Sequence, residues 1–265
     1  MRLRNPVGRT RVGAAPGLDH REPHRRPSPA TTSILIAAAI MLTAAHASAR
    51  SIVVPATSNI FGAGHAIPPD PGSFGPGTLP PVIHLPLAPL RTITFDSVTG
   101  LVSPKVSLNW WNGPDGGPYA TGDTDILSHD GISGIIHDHA TMFMVGVFTD
   151  ATIPADPAPP RLNVTTSHTD TRFSPLMFQT FFIGDGLTGT GSGSLQVFEV
   201  PAAATRLYLG FADAYGFGDP TDLPGSYNDN AGEVTVAYTI VPSPGASALL
   251  AGAGLVLLAG RKNRP

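Results

Sequence analysis

The chain contains no cysteine, which excludes disulfides, thiolate metal sites and cysteine nucleophiles. Charged residues are also scarce, at 13% of 265 residues. Glycine and proline, in contrast, number 30 and 28. Because both residue types interrupt helices, the chain cannot be mostly helical. Hydrophobic residues make up 42% of the chain, which is enough for a packed core and argues against wholesale disorder.

The charge is distributed unevenly along the chain. Residues 1–31 hold seven Arg against two acidic residues, whereas residues 50–241 hold 17 acidic residues against six basic ones. Nucleic acid is therefore not an expected partner of the central segment, since phosphate binding needs clustered Lys and Arg. The acidic residues of this segment are nearly all Asp, and carboxylate and carbonyl oxygens suit a hard cation such as calcium.

Residues 1–49 have the pattern of an N-terminal extension with a secretory signal peptide. The apolar run SILIAAAIMLTAA at 33–45 is followed by HASA, in which Ala47 and Ala49 are the small residues of a cleavage site. We predict export, with cleavage after Ala49. A membrane anchor is the alternative, but this run is shorter than the roughly 20 residues of a spanning helix. The Arg- and Pro-rich residues before the run fit either an extended signal or an over-long gene start.

Residues 241–265 have three parts in order: a Val-Pro-Ser-Pro turn, an apolar stretch and a basic cluster. The basic end would stay cytoplasmic while the apolar stretch forms an anchor helix. This order resembles a PEP-CTERM sorting signal, although that family usually has Pro-Glu-Pro at the turn. The resemblance implies export machinery and an exosortase-type enzyme as partners, transient membrane anchoring, and delivery to the cell surface or extracellular matrix. A plain C-terminal anchor is the alternative. The signal residues would be Pro242, Ser243, Pro244, Arg261 and Lys262.

The segment between these two signals is predicted to be all-β. Residues 50–90 are rich in Pro and Gly and are expected to form an extended lead-in with at most one edge strand. Residues 91–240 contain alternating or apolar segments typical of strands, without convincing helical periodicity. Short strands separated by Gly, Pro and Asp turns predict one antiparallel β-sandwich domain. The predicted strands are Arg91–Asp96, Thr141–Thr149, Leu195–Val200, Arg206–Ala212 and Glu233–Ile240.

The loop between the last two predicted strands is rich in oxygen ligands. Its side chains of this type are Asp213, Asp219, Asp222, Asp229 and Asn230. Calcium takes six to eight oxygens, from carboxylates, amides and backbone carbonyls, so the composition of this loop suits it. The spacing is not that of an EF-hand. The alternative is an ordinary loop in which Asp and Asn form turns.

Four segments resemble the calcium-dependent galactophilic lectins of the PA-I type, whose relatives share a galactose-binding-like jelly-roll sandwich. These segments are GPDG (113–116), VGVFTDATIP (145–154), LQVFEVPAAATRLYLGFAD (195–213) and DLPGSYNDNAGEVTV (222–236). The resemblance implies calcium as the bound ion. It assigns as ligands the adjacent pair Asp229 and Asn230, the backbone carbonyl of Ser226, and an early-loop carbonyl near Ser103–Pro104.

The same resemblance implies one further ligand, an Asp at the end of a strand. Asp213 follows the predicted strand directly and is preferred, whereas Asp222 keeps the family's distance to the Asp-Asn pair. In these lectins two sugar hydroxyls complete the calcium shell. The family's sugar-contacting His has no match in this chain. Tyrosines that would offer faces to sugar rings are Tyr119, Tyr215 and Tyr227.

We therefore expect a non-enzymatic, exported protein with a calcium-dependent domain that binds carbohydrate or exopolysaccharide. A structural matrix protein on the same fold, in which calcium only orders the loop, is the alternative. A secreted hydrolase that uses His129-Asp130 and His137-Asp138-His139 is less favoured. In a strand, His137 and His139 would share one face and offer two imidazoles to a metal, but no third ligand is evident.

Overall fold

The computed structural model of the protein describes residues 50–70, 74–86, 91–119, 122–217 and 222–242. Regular structure in these residues consists of fourteen strands and four three-residue 3-10 turns, so the predicted all-β class is confirmed. The strands are β1 (Arg50–Pro55), β2 (Val82–His84), β3 (Arg91–Ser103), β4 (Thr124–Ile126), β5 (Ile135–His137), β6 (Met144–Thr149), β7 (Leu162–Asn163), β8 (Arg172–Phe173), β9 (Thr180–Phe182), β10 (Leu187–Gly189), β11 (Ser192–Leu195), β12 (Val197–Val200), β13 (Arg206–Phe211) and β14 (Ala231–Pro242). The 3-10 turns are Ile60–Gly62, Val106–Leu108, Ser167–Thr169 and Tyr227–Asp229.

The longest strands form a five-stranded sheet in the order β1-β14-β3-β12-β8. All of its pairs are antiparallel except β12 and β8, which run parallel. The alternation in β14 predicts one buried face, and Val234, Val236 and Tyr238 are buried while Glu233 and Thr235 are exposed. The prediction of a strand over Glu233–Ile240 is therefore confirmed.

A second sheet has four antiparallel strands in the order β2-β13-β6-β9. Every residue of β6 is buried, as a purely apolar run predicts for a strand inside a sheet. Gly146 in this strand permits close packing, since a Cβ there would lie 2.7 Å from Cζ of Phe181. Two smaller sheets complete the fold, β4-β5-β7 and the hairpin β10-β11.

Aromatic side chains connect the two larger sheets. Phe198 of β12 contacts Phe181 of β9, with ring centroids 5.5 Å apart. Phe95 and Phe173 each lie 5.1 Å from Phe198, and Phe148 stacks on Phe181 at 5.0 Å. Full burial of one such ring contributes roughly 1.5–3 kcal/mol. This cluster is therefore a main source of stability shared by both sheets.

The Pro- and Gly-rich segment 50–90 is more deeply integrated than expected. It supplies two edge strands rather than at most one, because β1 pairs with β14 and β2 pairs with β13. Ile60 and Phe61, in the 3-10 turn between these strands, are fully buried. Edge positions tolerate the prolines of this segment, since an edge strand has backbone groups that need no partner in the sheet. The segment therefore contributes strands to both larger sheets and buried side chains to the core, rather than only covering the surface of the domain.

The two predicted signals fall largely outside the described residues. The signal peptide at 1–49 lies wholly outside them. In the tail at 241–265, Pro242 is the last residue of β14, while Ser243, Pro244, Arg261 and Lys262 lie outside. No helix in the described part of the chain is long and apolar enough to span a membrane.

Candidate calcium site

The loop that joins β13 to β14 folds back onto the end of β13. Asp213 follows the last residue of β13 closely, and its backbone carbonyl accepts a hydrogen bond from the N–H of Gly225 at 2.9 Å. Ala214 and Pro224 form a β-bridge beside this bond. The chain then makes the 3-10 turn Tyr227–Asp229 and enters β14. These contacts bring the turn at Pro224 and Gly225 next to Asp213 at the end of the strand.

A groove of about 190 Å³ opens beside Asp213. Most of the residues that the sequence predicts for the metal and sugar site line this groove. Those that line it are Pro104, Tyr119, Asp213, Tyr215, Ser226 and Asp229. Asn230 joins them through Asp213, because its Nδ2 donates to Oδ2 of that carboxylate at 2.7 Å.

Asp213 is the most deeply buried carboxylate of the groove, with 1% of its surface exposed. Its Oδ1 accepts from the N–H of Ala214 at 2.8 Å, and its Oδ2 accepts from Asn230. Burial raises the pKa of Asp213 well above its ordinary value, these two hydrogen bonds oppose the rise, and the negative charge of Asp229 adds to it. A cation beside the carboxylate would favour the ionised form again.

Two oxygens of the site are buried and have no hydrogen-bond partner among the described residues: Oδ1 of Asp229 and Oδ1 of Asn230. Buried acceptors normally have a donor, since leaving one unpaired costs about 1–3 kcal/mol. Carboxylate and amide oxygens are also the ligands that calcium prefers. Because a cation can take the place of a missing donor at such oxygens, the chemistry of these residues fits a calcium ion.

The residues expected to supply backbone carbonyls also lie in the groove. Ser226 is buried and has a φ of +69°, in the left-handed region that few residues other than glycine adopt. Pro104 follows the end of β3 and is buried as well. An unusual backbone conformation at a groove lined with polar atoms is a feature of functional loops.

The turn that carries Asp229 is held in place by the segment around residue 75. The N–H groups of Tyr227 and Asn228 donate to the carbonyls of Gly75 and Phe74 at 3.2 and 3.1 Å. Gly77 is required at this contact, because its φ is +70° and a Cβ would lie 2.4 Å from Cβ of Tyr227. The Pro- and Gly-rich lead-in thus positions the candidate site.

Sequence reasoning missed Lys105 and Phe74, which also line the groove. Nζ of Lys105 lies 3.7 Å from Oδ2 of Asp229 and 5.0 Å from the centroid of the Phe74 ring. Phe74 stacks on Tyr215 with centroids 5.8 Å apart, and 52% and 67% of the two residues are exposed. Nothing in the local sequence signals these contacts, since Lys105 and Phe74 come from loops distant from residues 213–230.

Tyr227 and Asp222, two of the expected site residues, do not line the groove. Tyr227 is fully buried, so no sugar can reach its ring, which corrects the expectation that it stacks on one. Its hydroxyl instead donates to the carbonyl of Phe211 at 3.0 Å and accepts from the N–H of Asp213 at 3.2 Å. The Asp222 carboxylate accepts from the N–H groups of Gly216 and Leu223. Of the two alternative strand-end ligands, the groove contains Asp213.

The histidines do not share a strand face as expected. His137 is the last residue of β5 and is buried, whereas His139 lies beyond the strand with a φ of +79° and an 86% exposed side chain. The ring of His137 instead lies 4.8 Å from that of His168. His129 does not line the cavity of this histidine pair, and its Nε2 lies 3.5 Å from Oδ2 of Asp130.

No group of three or more His, Cys, Asp or Glu side chains in the described ranges is arranged to hold a metal ion. The candidate calcium site has a different composition: two carboxylates, one amide and backbone carbonyls. No family model, curated protein or solved structure matches the chain. The geometry of the molecule is therefore the basis for assigning a function.

Proposed function

We propose that the described residues form the calcium-dependent, carbohydrate-binding-type domain of an exported surface or matrix protein. The observation that supports this most directly is the pair of buried, unpartnered oxygens on Asp229 and Asn230 beside the buried carboxylate of Asp213. The proposal includes a jelly-roll β-sandwich of galactose-binding-like type. The contact between Phe181 and Phe198 supports face-to-face packing of the two larger sheets in such a sandwich.

The residues of this chain would hold the ion as follows. Asp213 is oriented in advance by the N–H of Ala214 and by the amide of Asn230. Asp229 and Asn230 contribute the unpartnered oxygens, and Ser226 and Pro104 contribute backbone carbonyls. Bound calcium would supply positive charge and coordination positions for vicinal hydroxyl groups of a sugar.

The aromatic side chains around the groove fit a sugar ring. Phe74 and Tyr215 form an exposed, nearly parallel pair with an interplanar angle of 8°. Tyr119 lies in the groove and is held edge-on by Trp110 and Phe217 at 5.6 and 5.8 Å. Flat apolar faces beside hydroxyl-binding groups are the usual combination at sites for amphipathic ligands.

Lys105 favours a second candidate function, a structural matrix protein that binds no specific sugar. Its ammonium group already offsets part of the charge of Asp229 and lies over Phe74, where a sugar would otherwise have room. In this alternative, calcium only orders the loop between β13 and β14. Glycan binding in calcium separates the two candidates.

Thermal unfolding of the purified protein, first with calcium and then with a chelator, tests the calcium site. At a calcium concentration one hundred times the dissociation constant, a ligand of the native state adds roughly 2.7 kcal/mol of stability. Asp229→Ala should remove this response, and the control Asp222→Ala should keep it. Equal unfolding temperatures of the wild type with calcium and with chelator would exclude the site.

A glycan array then tests the sugar. We expect binding in calcium, no binding with chelator, and weaker binding by Tyr215→Ala, whose side chain is exposed and not part of the core. Stabilisation by calcium without any glycan signal would favour the structural alternative.

The export and sorting of the protein are part of the same proposal. The supporting pattern is the small-x-small site at Ala47 and Ala49 together with the tripartite tail at 241–265. In a host with an exosortase-type enzyme, the mature protein should begin at Arg50 and be released from the membrane. Replacement of Arg261 and Lys262 by Ala should impair this processing. Mass spectrometry of the mature termini measures both events.

A further inference from the structure

The larger of the two cavities described here lies away from the calcium groove and has a volume of about 380 Å³. It opens between the end of β5, the 3-10 turn Ser167–Thr169 and the hairpin β10-β11. Three of its polar side chains are His137, His168 and Asp115. None of the candidate calcium ligands lines it, so an inference about this cavity is independent of the proposed function.

Parallel pairing brings the two histidines together. β5 runs parallel to β7, with Ile135 opposite Leu162, and the N–H of Val164 donates to the carbonyl of Ile136 at 2.8 Å. The turn with His168 therefore lies beside the end of β5. The two imidazole rings are 4.8 Å apart, with an interplanar angle of 33°.

Backbone carbonyls orient both rings in the same way. Nδ1 of His137 lies 2.6 Å from the carbonyl oxygen of Asp138, and Nδ1 of His168 lies 2.9 Å from that of Thr165. Because a carbonyl only accepts, each Nδ1 carries a proton, and Nε2 is the nitrogen of each ring that is left to bind a metal. Neither Nε2 has a hydrogen-bond partner in the described part of the chain.

This is the arrangement by which proteins orient metal-binding histidines. With Zn–N bonds of 2.0–2.1 Å and near-tetrahedral angles, two imidazoles on one zinc ion have centroids about 5 Å apart. The observed separation of 4.8 Å agrees with that value. Phe182 also contacts both rings, at 5.7 and 5.8 Å, and restricts their movement.

We propose that this cavity is a second metal site, in which Nε2 of His137 and Nε2 of His168 bind a borderline divalent cation such as Zn²⁺. Imidazole suits zinc and other late transition ions, whereas calcium prefers oxygen. The remaining positions are filled by water or an oxygen ligand from solution, since no third His or acidic side chain in the described residues joins the pair.

Two further features favour a cation here. Asp115 lines the cavity together with the two histidines, and no Lys or Arg is among the residues that line it.

Isothermal titration of Zn²⁺ into the chelator-stripped, untagged protein tests the proposal. We expect one equivalent to bind, and we expect His168→Gln to weaken binding at least tenfold. The matched control is His139→Gln, because His139 also lines the cavity but is exposed and lies beyond the strand. No zinc binding, or an equal loss in both variants, would overturn the proposal.

A second measurement needs no variant, so it tests the proposal even if His168→Gln folds poorly. In the wild-type protein, the Nε2 resonances of His137 and His168 should shift with one equivalent of Zn²⁺ while those of His139 do not. Absence of these shifts would also overturn the proposal. Asp229→Ala should bind zinc normally even though it loses its response to calcium, so failure of the calcium site is distinguishable from failure of this one.

Discussion

The groove at the candidate calcium site and the histidine cavity differ in the atoms they offer to a ligand. The groove presents carboxylate, amide and carbonyl oxygens and no imidazole, whereas the cavity presents imidazole nitrogens beside the carboxylates of Asp115 and Asp138. Burial raises the pKa of Asp213 and lowers the pKa of His137, so in both places it favours the uncharged form. Donor type, rather than cavity shape, would therefore direct a hard cation to one place and a borderline cation to the other.

The two places also differ in the charge already present. Lys105 supplies a positive charge to the groove, while the lining of the histidine cavity includes no Lys or Arg. In each place a buried polar side chain from the fold holds the candidate ligands. The Tyr227 hydroxyl accepts a hydrogen bond from the N–H of Asp213, and the Gln196 amide donates one to the carbonyl of His168. Substitution of Tyr227 should therefore affect the groove and not the histidine cavity, and substitution of Gln196 should do the reverse.

The largest effect is expected from Tyr227→Phe. The hydroxyl of Tyr227 accepts from the N–H of Asp213 and donates to the carbonyl of Phe211, so the substitution would leave this buried N–H unpaired and remove one donor from the carbonyl. We expect a loss of about 1–3 kcal/mol in the free energy of unfolding, measured with denaturant and chelator. Tyr238→Phe is the control, since Tyr238 is buried but its hydroxyl has no hydrogen bond among the described residues. Equal losses in the two variants would contradict this role of Tyr227.

The second effect concerns the histidine cavity. Gln196 is fully buried, and its Nε2 donates to the carbonyls of His168 and Asp170 at 2.6 and 2.9 Å. Gln196→Leu should cost about 1–2 kcal/mol and also weaken zinc binding, because the turn that carries His168 loses its support.

Gln179→Leu is the matched control for this substitution. Gln179 is also buried, but its hydrogen bonds go to Leu176 and Pro160 rather than to the turn of His168. It should lose stability while retaining zinc affinity. If zinc affinity fell equally in both variants, the support by Gln196 would not be specific to the cavity.

Much of the fold and of the groove could be predicted from the sequence because the signals are local. The alternation in β14 identifies its buried face, and the groove takes four of its candidate ligands from the contiguous stretch 213–230. The histidine cavity has no such signal. His137 and His168 meet through β5 and β7, strands of three and two residues that are too short to show a period.

A smaller effect is expected where Lys105 enters the groove. Lys105→Met removes a positive charge 3.7 Å from Oδ2 of Asp229, so calcium should bind a few times more tightly. The free energy of unfolding of the chelated protein should change by less than about 1 kcal/mol, since both side chains are partly exposed. Arg172→Met, which breaks the exposed ion pair with Glu199, is the control and should leave calcium affinity unchanged. Calcium titration of the two variants decides whether Lys105 competes with the ion.

The smallest effect is expected at Glu199, an exposed carboxylate that serves as a reference for the buried Asp213. Glu199 accepts hydrogen bonds from Oγ of Ser174 at 2.6 Å and from Nε of Arg172 at 2.7 Å, and these lower its pKa below the ordinary value of 4.5. Asp213 also accepts two hydrogen bonds, yet its pKa is raised, so burial decides the difference.

The sign of the pH dependence at Glu199 follows from this shift. The folded state binds fewer protons than the unfolded state, so the contribution of Glu199 to stability is present above pH 4.5 and is lost as the pH falls through the folded pKa. Ser174→Ala should move the pKa of Glu199 back towards 4.5, as followed by NMR titration of its carboxyl carbon, with little change in stability at neutral pH. If the pKa did not move, Arg172 alone would account for the shift, and the hydroxyl bond would contribute nothing to the contrast with Asp213.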